Sequence, residues 1–472
     1  MKSKIGSGVI DGGLRGRIHA GSYARERRSR KAIPDQFMHH AFHAIWRWAA
    51  AGIILLAGCA ADPSARSFEN GRAGPAVAPS HTPAAASAAW FDQLQTITAT
   101  ADARRAEFVK LGGLVAQRHL AGGLIGLVHN YESVGGELLG RSGNIVHIGF
   151  ERPWKPATQR TAAEKANDLA IIGWERSPNP DEKSRLQDLK KLGVYIIGFG
   201  PREMAELADL VPLCDTFVEA GVGTNAGPIA ISFANQVHAW QLMGETVSAL
   251  TRAGHMPTIF KAYLYNDGRE WGDRYLFKKQ FHDDYTVAPI PAGDLARRYV
   301  QQVREHVARL RRRESVDIGR AAELITAERK AGRKTVVLTE GHSPWTYVGK
   351  GPDAAWAVGI DVHPELESQM ATFEKEAPAG ALVLRLGYFG FAEILRAQTE
   401  LKQQRVIYLG SLDDRRPGYQ AQANTGVMID LGCAFGDAVL EVPHYPIKLF
   451  PVSGLMQVAA YGAIDVEVRA VR

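Results

Sequence analysis

Lys334-Thr335-Val336-Val337-Leu338-Thr339-Glu340-Gly341-His342-Ser343-Pro344-Trp345-Thr346-Tyr347 is the stretch on which the fold turns. Thr335 to Leu338 is a short, β-branched apolar run, the pattern of a strand buried on both faces in a parallel sheet. Gly341 permits a sharp turn as the chain leaves that strand. Ser343 is suited to cap a following helix and Pro344 to its first position. A strand that turns through Gly-His-Ser into a helix start presents backbone N–H groups and hydroxyls to an anion. The same residues also read as an ordinary strand-to-helix turn with a capping serine.

Outward from this stretch, strand and helix signals alternate on both sides. Downstream, Trp356–Asp361, Ala381–Leu386 and Val406–Leu409 read as strands, and Phe391–Gln403 as a helix. Val439-Leu440-Glu441-Val442 reads as the fifth strand, and a closing helix starts at Val452. Immediately upstream, Leu295–Arg311 and Ile318–Ala331 read as two helices. Earlier still, 91–120 is helical, and strands are expected at Leu124–Val128, Asn144–Ile148, Leu169–Ile172, Val194–Ile197 and Asp215–Val218. Helices are expected at Asp181–Lys191 and Gly227–Ala249. The alternation predicts α/β architecture with parallel sheets. The order of elements recurs, giving two tandem units of roughly 170–190 residues each.

The chain has 472 residues, enough for two or three domains, with 46% hydrophobic and 22% charged residues. Three cysteines exclude a disulfide scaffold. The net charge of +6 is concentrated at the N-terminus. Residues 1–58 hold ten of the 56 basic residues and three of the 50 acidic ones, which leaves 46 against 47 in the remainder. A body that is neutral overall lacks the field that nucleic-acid binding needs. Arg47 precedes the apolar run Ala49–Leu56, which is too short to span a bilayer, and Leu56-Ala57-Gly58-Cys59 follows. This ending resembles a bacterial lipobox. The resemblance implies export, cleavage before Cys59, a lipid on that thiol and a location in the cell envelope. Met38 is an alternative start that gives a signal of ordinary length. Ala-, Pro-, Ser- and Gly-rich sequence then reads as a flexible tether to about residue 89. The expected division is 1–58 signal region, 59–89 lipidated cysteine and tether, 90–285 first unit and 286–472 second unit.

Three stretches give each unit a family likeness. Thr339-Glu340-Gly341-His342-Ser343 resembles the G-T-G-H-S loop that follows the first strand of SIS (sugar isomerase) domains. Ile429-Asp430-Leu431-Gly432-Cys433-Ala434-Phe435-Gly436-Asp437-Ala438-Val439-Leu440-Glu441 is similar to the family run I-D-N-G-x-P-x-G-D-A-x-x-E. In the first unit Gly227-Pro228-Ile229-Ala230-Ile231, then Gly254-His255-Met256-Pro257-Thr258-Ile259-Phe260, then Asn266-Asp267-Gly268 look like the family's closing motifs. Pro451-Val452-Ser453 repeats the helix-opening element in the second unit. The likeness implies two tandem flavodoxin-like αβα units, a phosphosugar or amino-sugar ligand, and possible isomerase or lyase chemistry. The family's serine-rich loop after the third strand is missing. Gly173-Trp174-Glu175-Arg176-Ser177-Pro178-Asn179 and Gly387-Tyr388-Phe389-Gly390 stand in its place, and His129-Asn130-Tyr131-Glu132-Ser133 is a degenerate first-strand loop.

Aldose–ketose isomerisation needs a base that moves a proton between adjacent carbons. Glu340, His342 and Glu441 are the candidate catalytic residues. Thr339, Gly341, Ser343, Arg176, Ser177, Asn130 and Ser133 are the candidate ligand contacts, with the Arg176 guanidinium and Ser177 hydroxyl standing in for the lost serines. Each has a structural alternative, as a cap, a solvated loop residue or a surface arginine. Lys278-Lys279 and His282-Asp283-Asp284 read as a linker face with no metal-ligand spacing, and Arg309–Arg313 as a solvated helix face. Cys214 and Cys433 read as buried thiols. No cofactor and no metal are expected. The partners expected are a sugar or phosphosugar and, through the anchor, a membrane, and the two units are expected to pair as a pseudo-dimer within the chain. The rival reading is a non-catalytic envelope binding or scaffold lipoprotein with degenerate sites.

Overall fold

The computed structural model describes residues 85–128, 133–149, 160–262, 265–276, 278–339, 347–361, 380–387, 405–411 and 426–471. The chain divides into two compact units. One, Met1–Ala76 with Pro364–Glu367, lies outside the described residues, and so does the reading of residues 1–84, Cys59 included. The other holds everything that follows.

The described part opens with helices α1 (Ala85–Ala103) and α2 (Arg105–Leu120). Strands β1 (Ile125–Leu127), β2 (Leu169–Gly173), β3 (Tyr195–Gly200) and β4 (Thr216–Glu219) form a parallel sheet in that order. Helix α3 (Ser133–Leu138) follows β1, α4 (Glu182–Lys191) lies between β2 and β3, and α5 (Gly227–Arg252) follows β4. Next come α6 (Gly268–Tyr275) and α7 (Asp294–Lys330). The second parallel sheet holds β5 (Thr335–Thr339), β6 (Ala357–Asp361), β7 (Leu382–Leu386), β8 (Arg405–Gly410) and β9 (Gly426–Asp430), in the order β6-β5-β7-β8-β9. Antiparallel β10 (Ala438–Leu440) and β11 (Leu449–Pro451) make a hairpin before the closing helix α8 (Ser453–Ala470). The architecture is three-layer α/β with two parallel sheets. The second sheet has the order of a flavodoxin-like fold.

One apolar core runs through both sheets and the helices between them, from Phe108 and Ile197 to Trp240, Tyr299, Leu384, Ile407 and Leu455. The central helices α5 and α8 are buried over most of their circumference, as a layer between two sheets must be. Trp90 on α1 reaches across to donate to the Ala459 carbonyl of α8 at 2.8 Å. Val336, Leu338, Ile360 and Val383 form a separate small cluster on one face of the second sheet.

Five expectations change. The pair of helices before the second sheet is one helix of 37 residues. Its middle contains no glycine or proline breaker, and buried Glu314 ties it to β9 by accepting from the Asp430 N–H at 3.1 Å. Its start is capped from α5, where Glu245 accepts from the N–H groups of Gly293 (2.8 Å) and Ala296 (3.2 Å). The strand at 144–148 is reduced to isolated bridges, Ile148 beside Ile125 and Ile145 opposite Ile259. Asn144 uses its side chain to hold the Leu138 carbonyl and the Ile145 N–H, which turns the segment away from the sheet. The fifth strand is β9, not 439–442. Gly432, Gly436 and Asp437 take positive φ and turn the chain off the sheet into the hairpin. Of the His282-Asp283-Asp284 stretch, Asp283 and Asp284 are exposed, but His282 is not. The His282 ring is enclosed by Trp271, Tyr275, Tyr285 and Tyr445, with Nε2 2.8 Å from the Tyr445 hydroxyl and Nδ1 3.1 Å from Asp284. Three of these aromatics are close in sequence, but the fourth, Tyr445, comes from the second half, and local charge patterning does not reveal it. The Arg309–Arg313 face is also partly engaged, since Arg309 pairs with Asp430 and Arg311 with Asp92.

Candidate functional site

In open parallel sheets, ligands sit outside the carboxyl ends of the strands, where successive connections leave in opposite directions. In the first sheet that place lies between β1 and β2. The chain leaves β1 towards Ile148 on one side and returns to β2 on the other. In the second sheet it lies between β5 and β7.

At the first of these places, α3 carries Glu137, whose side chain is 0% exposed. Its Oε1 accepts from Trp240 Nε1 of α5 at 3.1 Å and lies 3.9 Å from Arg141, while Oε2 has no hydrogen-bond partner. Only glycine at position 454 allows this approach, because a Cβ there would fall 2.1 Å from Oε2. Burial pushes the Glu137 carboxyl up from 4.5 to about 6, against the pull of Arg141 and Trp240. Arg141 is itself buried and bridges to the second half. It donates to Asp437 (3.0 Å) and to Ser453 (2.7 Å). Asp437 also accepts from the N–H groups of Val452 (3.2 Å) and Ser453 (2.9 Å), so it caps α8 while pairing Arg141. The positive φ of Asp437 aims the carboxylate there.

The residues after β2 continue the site. Trp174 turns inward, its Nε1 donating to Glu182 at 2.6 Å and its ring stacked on Phe217. Glu175 is 4% exposed. Asn235 on α5 donates from Nδ2 to the Trp174 carbonyl at 3.0 Å, which fixes the amide and leaves Oδ1 without a partner. Tyr347, from the second half, is 2% exposed. Its hydroxyl makes no hydrogen bond of good geometry, and burial, then the charge of Glu175, push it well above its usual range against a pull from Ser232, with Asp353 and Glu137 adding to the rise. Asp353 accepts from Gly349 (2.7 Å), Gly351 (3.1 Å) and the Tyr461 hydroxyl (2.5 Å), which locks the 347–353 segment against α8.

The structure scatters the residues singled out from sequence. Asn130, Glu340, Gly341, His342 and Ser343 lie outside the described residues, and of Ser133 only the backbone, at the start of α3, is described. Thr339 is buried at the end of β5, its hydroxyl facing the Ile360 carbonyl at 3.4 Å. Arg176 is half-buried beside Glu175, and Ser177 is exposed and donates to Glu206 at 3.2 Å. The Glu441 side chain is 77% exposed at the end of the β10–β11 hairpin and pairs with Lys448 at 3.1 Å. At the second sheet's edge sequence reading passed over Arg385, 0% exposed in β7 with its guanidinium over the Tyr408 ring. Cys214 and Cys433 are free thiols, and burial pushes Cys214 up to about 12. Among the described residues there is no cluster of three or more metal-ligating side chains, and no helix is long and apolar enough to cross a membrane.

Glu137, Arg141, Asn235 and Tyr347 were missed. The available signal for the first two was an i,i+4 Glu–Arg pair at the end of a short helix, with Arg141 just beyond it. Asp437 lay inside a quoted motif, but its role needs Arg141, almost three hundred positions away.

No protein-family model matches the chain, and no curated protein matches it. Among solved structures it is similar to a protein from Salmonella typhimurium LT2 assigned to sugar binding, at 9% identity and TM-score 0.43, covering 81% of this chain and all of that one. It is similar to a protein from Clostridium difficile 630 assigned as a phosphosugar isomerase, at 7% identity and TM-score 0.41, covering 80% and 93%. It is also similar to the C-terminal domain of glucosamine-fructose-6-phosphate aminotransferase from Francisella tularensis, at 10% identity and TM-score 0.38, covering 79% and 96%. Likenesses of this size assign neither a family nor an activity.

Proposed function

We propose that the chain is a SIS-like protein that binds a carbohydrate derivative, an amino sugar or phosphosugar, at the carboxyl edge of the first sheet, and that it isomerises aldose and ketose forms there. The observation that carries this reading is Glu137, a buried carboxylate at the turning point of the sheet with one unpartnered oxygen and a carboxyl raised to about 6. A base poised near neutrality suits proton transfer between adjacent sugar carbons. Glu137 would take the proton from C2 of an aldose and return it to C1, while a hydroxyl proton moves from O2 to O1. Trp240 and Arg141 would hold the carboxylate in place. The sequence motifs at 339–343, 429–441 and 227–268 support the SIS-like reading.

The rival is binding without turnover, favoured by the complete burial of Glu137. One experiment separates them. Sugars are incubated with the protein in D2O, and exchange at C2 is followed by proton NMR. The isomerase reading expects exchange in the native protein and none in Glu137→Gln. Binding without exchange supports the rival, and neither binding nor exchange removes both. The reading also includes the lipid anchor. Cys59→Ser is expected to leave the membrane fraction, and retention there would overturn the lipobox.

A further inference from the structure

Glu137 and Asp437 share one cation, and the sharing is uneven. Arg141 Nη2 donates to Asp437 Oδ2 at 3.0 Å and to Ser453 Oγ at 2.7 Å, but lies 3.9 Å from Glu137 Oε1, too far for a hydrogen bond. All three charged side chains are 0–2% exposed, so solvent screens them little. Both carboxylates are fixed. Asp437 stands at φ 70, its Oδ1 accepts from the N–H groups of Val452 and Ser453, and its Oδ2 accepts from Ser453 Oγ at 2.7 Å. Glu137 is held by Trp240 Nε1 and packs its Oε2 against Gly454. The place of the guanidinium between them therefore decides how strongly each is paired. Among the described residues, the Tyr299 and Tyr347 hydroxyls also lie in the field of Glu137.

We infer that Asp437 is a positioning residue for Glu137. Together with Ser453 it holds the Arg141 guanidinium off the Glu137 carboxyl, which is thereby kept from closing an ion pair and left able to exchange a proton. The inference rests on the reading of Glu137 as the base, and it gives the turn at Asp437 a part in the chemistry besides capping α8. An opposite charge at hydrogen-bond distance favours the charged form of a buried carboxyl and works against its use as a base near neutrality. At 3.9 Å the pull of Arg141 on Glu137 is outweighed by burial. A guanidinium released by Asp437 would have to move only about 1 Å to close the bond to Glu137.

The test is carbon NMR titration of Glu137 in the full chain carrying labelled glutamate, in the native protein and two variants. In Asp437→Asn the amide keeps an oxygen for the Val452 and Ser453 N–H groups, and asparagine tolerates positive φ, so the turn should survive. The Glu137 midpoint is expected to fall from about 6 by about one pH unit, and the acid limb of C2 exchange to move with it. Ser453→Ala leaves both carboxylates in place and removes one of the two holds on Arg141 Nη2, and here the midpoint is expected to fall by about half a pH unit. An unmoved midpoint in Asp437→Asn, the result that a purely structural cap would give, overturns the inference. So does a fall in Asp437→Asn with none in Ser453→Ala, because the missing charge alone then accounts for it. Both midpoints shifted as expected, with no C2 exchange in the native protein, would remove the isomerase reading and leave the positioning of Arg141 standing.

Discussion

Among the described residues, the carboxyl edges of the two parallel sheets carry different polar groups. At the first, Glu137 and Glu175 are buried carboxylates, and Glu137 Oε2 has no hydrogen-bond partner. At the second, Arg385 is buried in β7 and Glu314 is buried against the end of β9, while the hydroxyls of Thr339 and Ser411 are turned onto the backbone at Ile360 and Cys433. Repeating a fold therefore does not repeat a site. Strand order is set by apolar patterning, which both halves keep. A ligand site is set by a few polar side chains, and these differ between the two sheets among the described residues. The halves also lend residues to each other. Tyr347 of the second serves the edge of the first, and Arg141 of the first pairs Asp437 of the second.

The largest effect that would sharpen this contrast is acid sensitivity confined to the first half. His119 and His147 are pushed down to about 4 and His238 to about 3, in each case chiefly by burial. Their folded pKa values lie below the unfolded value of 6.5, so the unfolded chain binds protons the folded one does not, and stability is lost as pH falls from 6.5 towards 4. Three such groups give a slope of about 4 kcal/mol per pH unit, offset by about 1.4 between 6 and 4.5 by Glu137, whose raised pKa works the other way. Hydrogen exchange should show β1 to β4 losing protection before β5 to β9 as the pH is lowered. Simultaneous loss would break the contrast.

Next is Asp437→Ala. It removes the cap of α8 and the hydrogen-bonded carboxylate of buried Arg141, and should cost about 3–5 kcal/mol in denaturant unfolding. A loss below about 1 kcal/mol would mean the halves do not depend on this bridge.

Glu137→Gln should move stability and function in opposite directions. The native carboxyl at about 6, against 4.5 unfolded, contributes stability that is full below 4.5 and lost as pH rises through 6. At pH 7 the amide should therefore be more stable by about 2 kcal/mol while C2 exchange disappears. Unchanged exchange would remove Glu137 from the chemistry.

Tyr347→Phe should be the mildest. The hydroxyl lacks a well-formed bond, so unfolding should shift by less than about 1 kcal/mol while glucosamine affinity falls about tenfold. An unchanged affinity would mean that the second half contributes nothing to the first edge.

The sequence carried the strands well because their signal is local. Runs such as Val194–Ile197 and Ala381–Leu386 are apolar on both faces, as parallel strands require. Where local pattern and long-range contact compete, reading failed. Asn144 bent a strand-like run off the sheet, and Glu314 held together a helix whose basic middle looked like a break. The site was legible in place but not in composition. The edge after β2 was expected at Gly173–Asn179, where Glu175 lies. Tyr347 gave no pattern, and the i,i+4 pairing of Glu137 with Arg141 did not by itself show that Trp240 and Gly454 would bury it.

The most direct measurement is the titration of the Glu137 carboxyl by carbon NMR on protein with labelled glutamate, assigned by the resonance missing in Glu137→Gln. The account predicts a midpoint near 6 in the free protein that moves when glucosamine is added. A midpoint near 4.5, unmoved by glucosamine, would contradict it.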